Sequence, residues 1–207
     1  MKRSELLEKA KPILFNTEMV RAILEGRKTE TRRVVKPQPD KKLWYSIAGY
    51  GHGKWYEEEN IKGRLWTPPC HADDILYVRE TWCSAYDGEE YFYFADKCTE
   101  REQAKLLDYD DVRWRPSIHM PKKAARIFLK VMSVRVERLQ DMTEEQARRE
   151  GCHHGPLFGG DTFYVTALSH FPRIWNSTIK MQDQEQYGWE ANPWVWVIQF
   201  ERMEVEE

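Results

Sequence analysis

Gly26-Arg27-Lys28-Thr29-Glu30-Thr31-Arg32-Arg33 puts four basic residues and two hydroxyls into eight consecutive positions. A helix end on a protein surface has no need of that charge density. A site for an anionic or nucleotide-like ligand does, because arginine offers a planar fork of donors to phosphate or carboxylate and threonine adds a hydroxyl. A second candidate lies just downstream. Trp44, Tyr45, Trp55 and Tyr56 are rings that stack on unpaired bases, and Lys36, Lys41, Lys42 and Lys54 are placed to meet phosphates. The competing reading is that this segment covers its own core.

Other reactive types are present without a supporting pattern. Cys70-His71 and Cys152-His153-His154 carry metal-ligand side chains, but a structural zinc site needs closely paired cysteines, and Cys70, Cys83, Cys98 and Cys152 show no such pairing. No metal and no cofactor are therefore expected. The phosphate-cradling and dinucleotide fingerprints are missing, as is a nucleophile elbow.

The elements that must position the basic stretch can be read on either side of it. Pro12 to Phe15 predicts a short buried strand. Asn16 or Thr17 caps a helix whose Met19, Val20, Ile23 and Leu24 share a face, and Gly26 is a natural residue to end it. Two geometries then remain open. An extended exit alternates Lys28, Glu30 and Arg32 against Thr29, Thr31 and Arg33, whereas a continued helical turn makes Lys28 and Thr31 neighbours. Residues 34–72 lack helical periodicity and predict an irregular Trp-rich insertion with at most one hairpin. Asp73 to Trp82 predicts a turn and strand, Glu90 to Ala95 its partner, and Thr99 to Leu107 a short helix. Ala125 to Leu139 is the clearest strand, with its apolar phase shifting near Ser133, as at a bulge. Thr143 and Gln146 fit a capping box for a short helix ending at Gly151. A helix around Phe171 and Trp175 must place Pro172 in its first turn or bend, and Trp194 to Phe200 predicts a closing strand.

Strands separated by short helices predict an α+β fold, and 207 residues suffice for one domain with a core of its own. With 41% hydrophobic and 13% aromatic residues the chain is not a disordered one. The net charge of −2 excludes a uniformly basic nucleic-acid coat. Charge is segregated instead: Arg21–Lys42 holds eight basic against three acidic residues, and Asp87–Asp111 holds nine acidic against three basic. No apolar run approaches the roughly 20 residues of a membrane span, and a reducing cytoplasm suits the unpaired cysteines.

Taken in order, these pieces resemble the ASCH domain, a branch of the PUA-like superfamily. The resemblance rests on the helix running into Gly26–Arg32, on Asp73-Asp74-Ile75-Leu76-Tyr77-Val78, on the long 127–139 strand, on the 142–151 helix and on the final hydrophobic strand. It covers most of a single domain, 1–207, apart from insertions at 34–72 and 84–124, and the larger form looks like phage and prophage members. It implies a small PUA-like β-barrel with flanking short helices and a cleft for RNA, single-stranded nucleic acid or a modified nucleoside. Small bacterial relatives are N4-acetylcytidine amidohydrolases, and by motif their Lys, Thr and Glu fall on Lys28, Thr31 and Glu150. Other members have been linked to ribonuclease activity, and a phage accessory protein with an acidic, partner-binding lobe is a further reading.

The amidohydrolase chemistry makes definite demands. Thr31 is a poor nucleophile until a base takes its proton, and Lys28 serves only if burial or neighbouring cations lower its pKa. Arg27, Arg32 and Arg33 could supply that field. Glu150, at the end of its helix, would suit proton transfer. Alternatively Glu150 activates water and Thr31 only positions the substrate. The binding expectation asks less: Arg27, Thr29, Arg32 and Arg33 meet the ligand's anionic groups, and Trp44 and Trp55 stack on its bases.

Overall fold

The computed structural model describes residues 1–46, 53–58, 63–85, 90–96, 113–152, 155–156 and 164–206. The fold is α+β, as expected, and no closed barrel forms among the described residues. In chain order the strands are β1 (Lys11–Leu14), β2 (Glu30–Val34), β3 (Leu43–Tyr45), β4 (Trp55–Glu57), β5 (Leu65–Trp66) and β6 (Ile75–Arg79). They continue with β7 (Trp82–Ala85), β8 (Glu90–Tyr93), β9 (Phe128–Arg138), β10 (Gly155–Pro156), β11 (Tyr164–Val165) and β12 (Trp194–Arg202). The chain divides into two compact units. Residues 1–29, 73–131 and 200–207 make the first, and residues 30–72 and 132–199 the second, so β9 and β12 carry residues of both.

In the first unit β1 lies parallel to β6, with Ile13 opposite Val78, and β6 lies antiparallel to the start of β9, with Leu76 opposite Leu129. The charged N-terminal segment is a helix, Arg3–Lys9, because Leu6 buries completely in a cluster with Tyr77, Trp82, Met120 and Phe128. Asn16 caps the Thr17–Leu24 helix by accepting from the Met19 amide at 2.9 Å. Its apolar face is Val20, Ala22 and Ile23, and Gly26 closes it at φ +74°, a left-handed conformation that a side chain would strain. Glu80, buried in this unit, is held by both Nε and Nη2 of Arg126 at 2.9 Å each, and Arg126 also reaches Asp96 at 2.6 Å. The Arg126 guanidinium covers the Tyr93 ring at 3.9 Å, and burial pushes the Tyr93 phenol up to about 12.

In the second unit β12 is the organising strand. Its Val195 and Val197 belong to a core with Leu139, Ala147, Phe171 and Trp175, while Trp194 and Trp196 belong to another with Val35, Leu43 and Trp66. Successive side chains leave a strand on opposite faces, so the Trp-Val-Trp-Val run buries both of them. β2 pairs antiparallel with β12, placing Val34 opposite Val195, Arg32 opposite Val197 and Thr31 opposite Ile198. The predicted capping box is present: Thr143 accepts from the Gln146 amide and Gln146 from the Thr143 amide, opening the Glu144–Arg149 helix. The Ala167–Thr178 helix is capped by Thr166, and the Glu144 carboxylate accepts from the Ala167 and Leu168 amides at 2.9 Å each. Pro172 falls in the second turn of that helix, where its ring removes a backbone donor.

Some of the expected elements differ in extent or regularity. Residues 34–72 are more regular than the sequence suggested, because β3, β4 and β5 form a three-stranded antiparallel sheet whose Leu43, Trp55 and Trp66 pack towards Trp196. The strand expected from Ala125 begins at Phe128, since Lys122–Ala124 is a 3-10 turn, and it continues to Arg138; its change of phase falls where residues of the first unit give way to those of the second. The Thr99–Leu107 helix, Cys98 and the His153-His154 pair lie outside the described residues.

Candidate functional site

The basic stretch is not a solvated patch. Arg27 is exposed and paired with Glu25 at 2.7 Å. Lys28 is 2% exposed, with its ammonium 5.5 Å from the centre of the Phe15 ring and its amide donating to the Ala22 carbonyl. Thr29 is partly buried and its carbonyl accepts from the Phe200 amide. These three residues belong to the first unit; Thr31, Arg32, Arg33, Trp44, Trp55 and Glu150 belong to the second.

The exit from the helix is extended from Glu30 onward, which decides between the two geometries left open by the sequence. Glu30 and Arg32 leave β2 on one face, Thr31 and Arg33 on the other. On the first face a buried charge cluster forms. Arg32 Nη1 donates to Glu30 at 2.9 Å and to Glu150 at 3.1 Å, and its Nη2 donates to Glu137 at 2.5 Å. Arg135 links Glu30, at 3.2 Å, to Glu137, at 3.0 Å. The Arg32 side chain has no exposed area. Burial acts to lower its pKa, but Glu150, Glu137 and Glu30 outweigh that and hold the guanidinium above its ordinary value. Glu150 arrives here because it is the C-cap of the Glu144–Arg149 helix, whose own arginines pair outward, Arg148 with Glu144 and Arg149 with Glu145.

The other face of β2 is chemically different. Arg33 Nη1 donates to the Thr31 hydroxyl and to the Arg32 carbonyl, both at 2.9 Å. Burial lowers the Arg33 pKa against the attraction of Glu150 and Cys70, yet a guanidinium keeps its proton at neutral pH. Arg33 stands opposite Trp196 across the strand pair. Trp196 meets the edge of Trp55 at 5.5 Å between centroids, and Trp55 meets Tyr45 at 5.4 Å. A guanidinium, a hydroxyl and three rings therefore follow one another on this side of the second unit.

Trp44 and Trp55, singled out together from sequence, fall on opposite faces of the three-stranded sheet. Trp44 stands opposite Tyr56, and Tyr45 opposite Trp55. Glu137, Arg135 and Trp196 were not singled out. A signal for the first two existed: in Val134-Arg135-Val136-Glu137 charges alternate with valines along a strand, which marks a face where charges must find partners. Nothing in the sequence distinguished Trp196 from the other closing-strand residues.

A cavity of about 450 Å³ in the first unit, walled in part by Arg126, Arg202 and Glu204, includes none of the residues expected from sequence. Among the described residues no cluster of three or more His, Cys, Asp or Glu side chains could hold a metal ion, and no helix is long and apolar enough to cross a membrane. Cys70, Cys83 and Cys152 are buried and form no disulfide among the described residues. No family model, curated protein or solved structure matches the chain.

Proposed function

We propose that this chain is an ASCH-type member of the PUA-like superfamily that binds RNA, single-stranded nucleic acid or a modified nucleoside. The observation that carries this reading is the Thr31–Arg33 pair on the same side as Trp196, Trp55 and Tyr45. A fixed cation meets a phosphate or a carbonyl, and the exposed Tyr45 and half-buried Trp55, backed by the buried Trp196, meet a base. Arg32 serves differently from Arg33. Committed to three carboxylates, it pins β2 and so fixes where Arg33 emerges.

Binding is preferred to hydrolysis on the chemistry of Thr31. The partner observed on its hydroxyl is a guanidinium, which cannot take a proton. Glu150 accepts from Arg32, and its charge also acts on Arg33, so it is engaged by guanidinium groups. A hydrolase acting through Lys28, Thr31 and Glu150 needs all three around one acyl group.

The test is fluorescence anisotropy with a short labelled oligoribonucleotide. Wild type should bind at about 50 mM salt and weaken by about tenfold or more at about 200 mM, as expected when a few phosphates are neutralised. Arg33→Ala should weaken binding further at the lower salt. Absence of any binding there would refute the reading, and steady release of acetate from N4-acetylcytidine, lost in Lys28→Ala, would replace it with the hydrolase.

A further inference from the structure

The three-stranded sheet has a second face that the site above does not use. In the register Trp44 stands opposite Tyr56 and Tyr56 opposite Leu65, so these side chains share a face; Tyr45, Trp55 and Trp66 share the other. Trp55 and Trp66 of the second set pack towards Trp196, with Tyr45 lying exposed against Trp55, and the first set faces away from that core. Trp44 remains 45% exposed at the edge strand and Tyr56 is partly exposed beside it. A solvent-facing position in a strand has no packing reason to hold tryptophan, since Leu43, Trp55 and Trp66 make the sheet's core contacts from the opposite face.

Alternation puts Lys42 and Lys54 on this same outward face. Lys42 holds its ammonium 4.9 Å from the Trp44 ring centre, and Lys54 reaches the Thr67 hydroxyl at 3.4 Å. Lys41 adds an exposed cation next to Lys42; of the carboxylates at this end of the sheet, Glu57 leaves β4 on the other face and accepts from the Asp40 and Lys41 amides, and the amide of Glu58 donates to the Lys42 carbonyl. Two rings in register, flanked by cations, match the repeating chemistry of an unpaired strand, in which flat bases alternate with phosphates.

We propose that this outward face, built on Trp44 and Tyr56 and bordered by Lys42 and Lys54, is a stacking track for a single-stranded polynucleotide. The proposal rests on the nucleic-acid reading above and narrows it: the ligand is a strand with several unpaired bases, not a free nucleoside or a duplex. A base displaces the Lys42 ammonium from the Trp44 ring, because an exposed cation–π contact is weaker than base–aromatic stacking. The freed ammonium then meets the neighbouring phosphate.

The probe is a labelled oligouridylate of roughly ten nucleotides, compared with a duplex of the same length. Trp44→Ala should lose about tenfold in affinity for the single strand, while Trp44→Phe keeps most of it. Lys42→Gln should lower the slope of log affinity against log salt by about one unit. Unchanged unfolding midpoints for these exposed substitutions keep the comparison clean. If Trp44→Ala binds the strand as wild type does while Arg33→Ala binds it weakly, the track is refuted and the Arg33 site stands. If Trp44→Ala loses affinity and Arg33→Ala does not, the track stands and the Arg33 site falls. Equal affinity for duplex and single strand refutes the track, and no binding by wild type refutes both.

Discussion

Arg32 is the residue on which the second unit's charges converge, and its burial makes a sharp prediction. Three carboxylates, Glu30, Glu137 and Glu150, surround a guanidinium with no exposed area. Removing one partner of such a cluster leaves uncompensated buried charge, which costs about 3–5 kcal/mol. Arg32→Met should therefore lower the denaturation free energy by that amount, whereas a solvated arginine would give less than about 0.5 kcal/mol. Urea unfolding of the two proteins separates these outcomes. Tyr93 in the first unit offers a pH test. Its phenol is raised from 10.0 to about 12 by burial, so the folded state holds its proton more tightly than the unfolded chain. The resulting stabilisation is complete below pH 10 and is lost as pH rises through about 12. An alkaline titration followed by tyrosinate absorbance should show one late-ionising group that disappears in Tyr93→Phe.

At the scale of elements, the Glu144–Arg149 helix does two things: it ends on Glu150, and its first residue caps the next helix. Loss of the Thr143 cap should cost about 1 kcal/mol in Thr143→Ala. The Glu144 carboxyl is held below its usual range, chiefly by the Leu168 amide and also by the Ala167 amide. Its folded pKa is lowered, so its contribution is present above about pH 4.5 and is lost as pH falls. Wild type should accordingly melt above Glu144→Gln at neutral pH, and the gap should close in acid. These local devices were legible in the sequence. The capping box, the Asn16 cap and the glycine stops at Gly26 and Gly151 depend only on residues a few positions apart. The strand pairing of β3, β4 and β5 was not, because its signal is a set of aromatic residues whose sides are set by register with partners on another strand, Tyr45 with Trp55 and Trp55 with Trp66. The same holds for the site. Thr31 and Arg33 were legible as a candidate, but the pairing of Arg32 with Glu150, 118 positions on, required the fold.

At the scale of the whole molecule, the chain passes between the two units after Thr29, Ala72, Val131 and Gln199, and two of these passages lie inside the strands β9 and β12. Each unit is thus assembled from separated segments, and a continuous strand cannot lose its ladder in one unit without loosening the backbone that enters the other. This argues for one cooperative transition instead of two independent ones. Tryptophan makes the distinction measurable. Trp44, Trp55, Trp66, Trp175, Trp189, Trp194 and Trp196 belong to the second unit, and only Trp82 and Trp114 to the first. Tryptophan emission therefore reports mainly on the second unit, while far-ultraviolet circular dichroism reports on the helices and strands of both. Urea midpoints from the two signals should coincide, and Arg32→Met, made in the second unit, should shift both equally. A circular dichroism transition that splits, with one half following Trp emission and the other unmoved by Arg32→Met, would show that the strands do not couple the units.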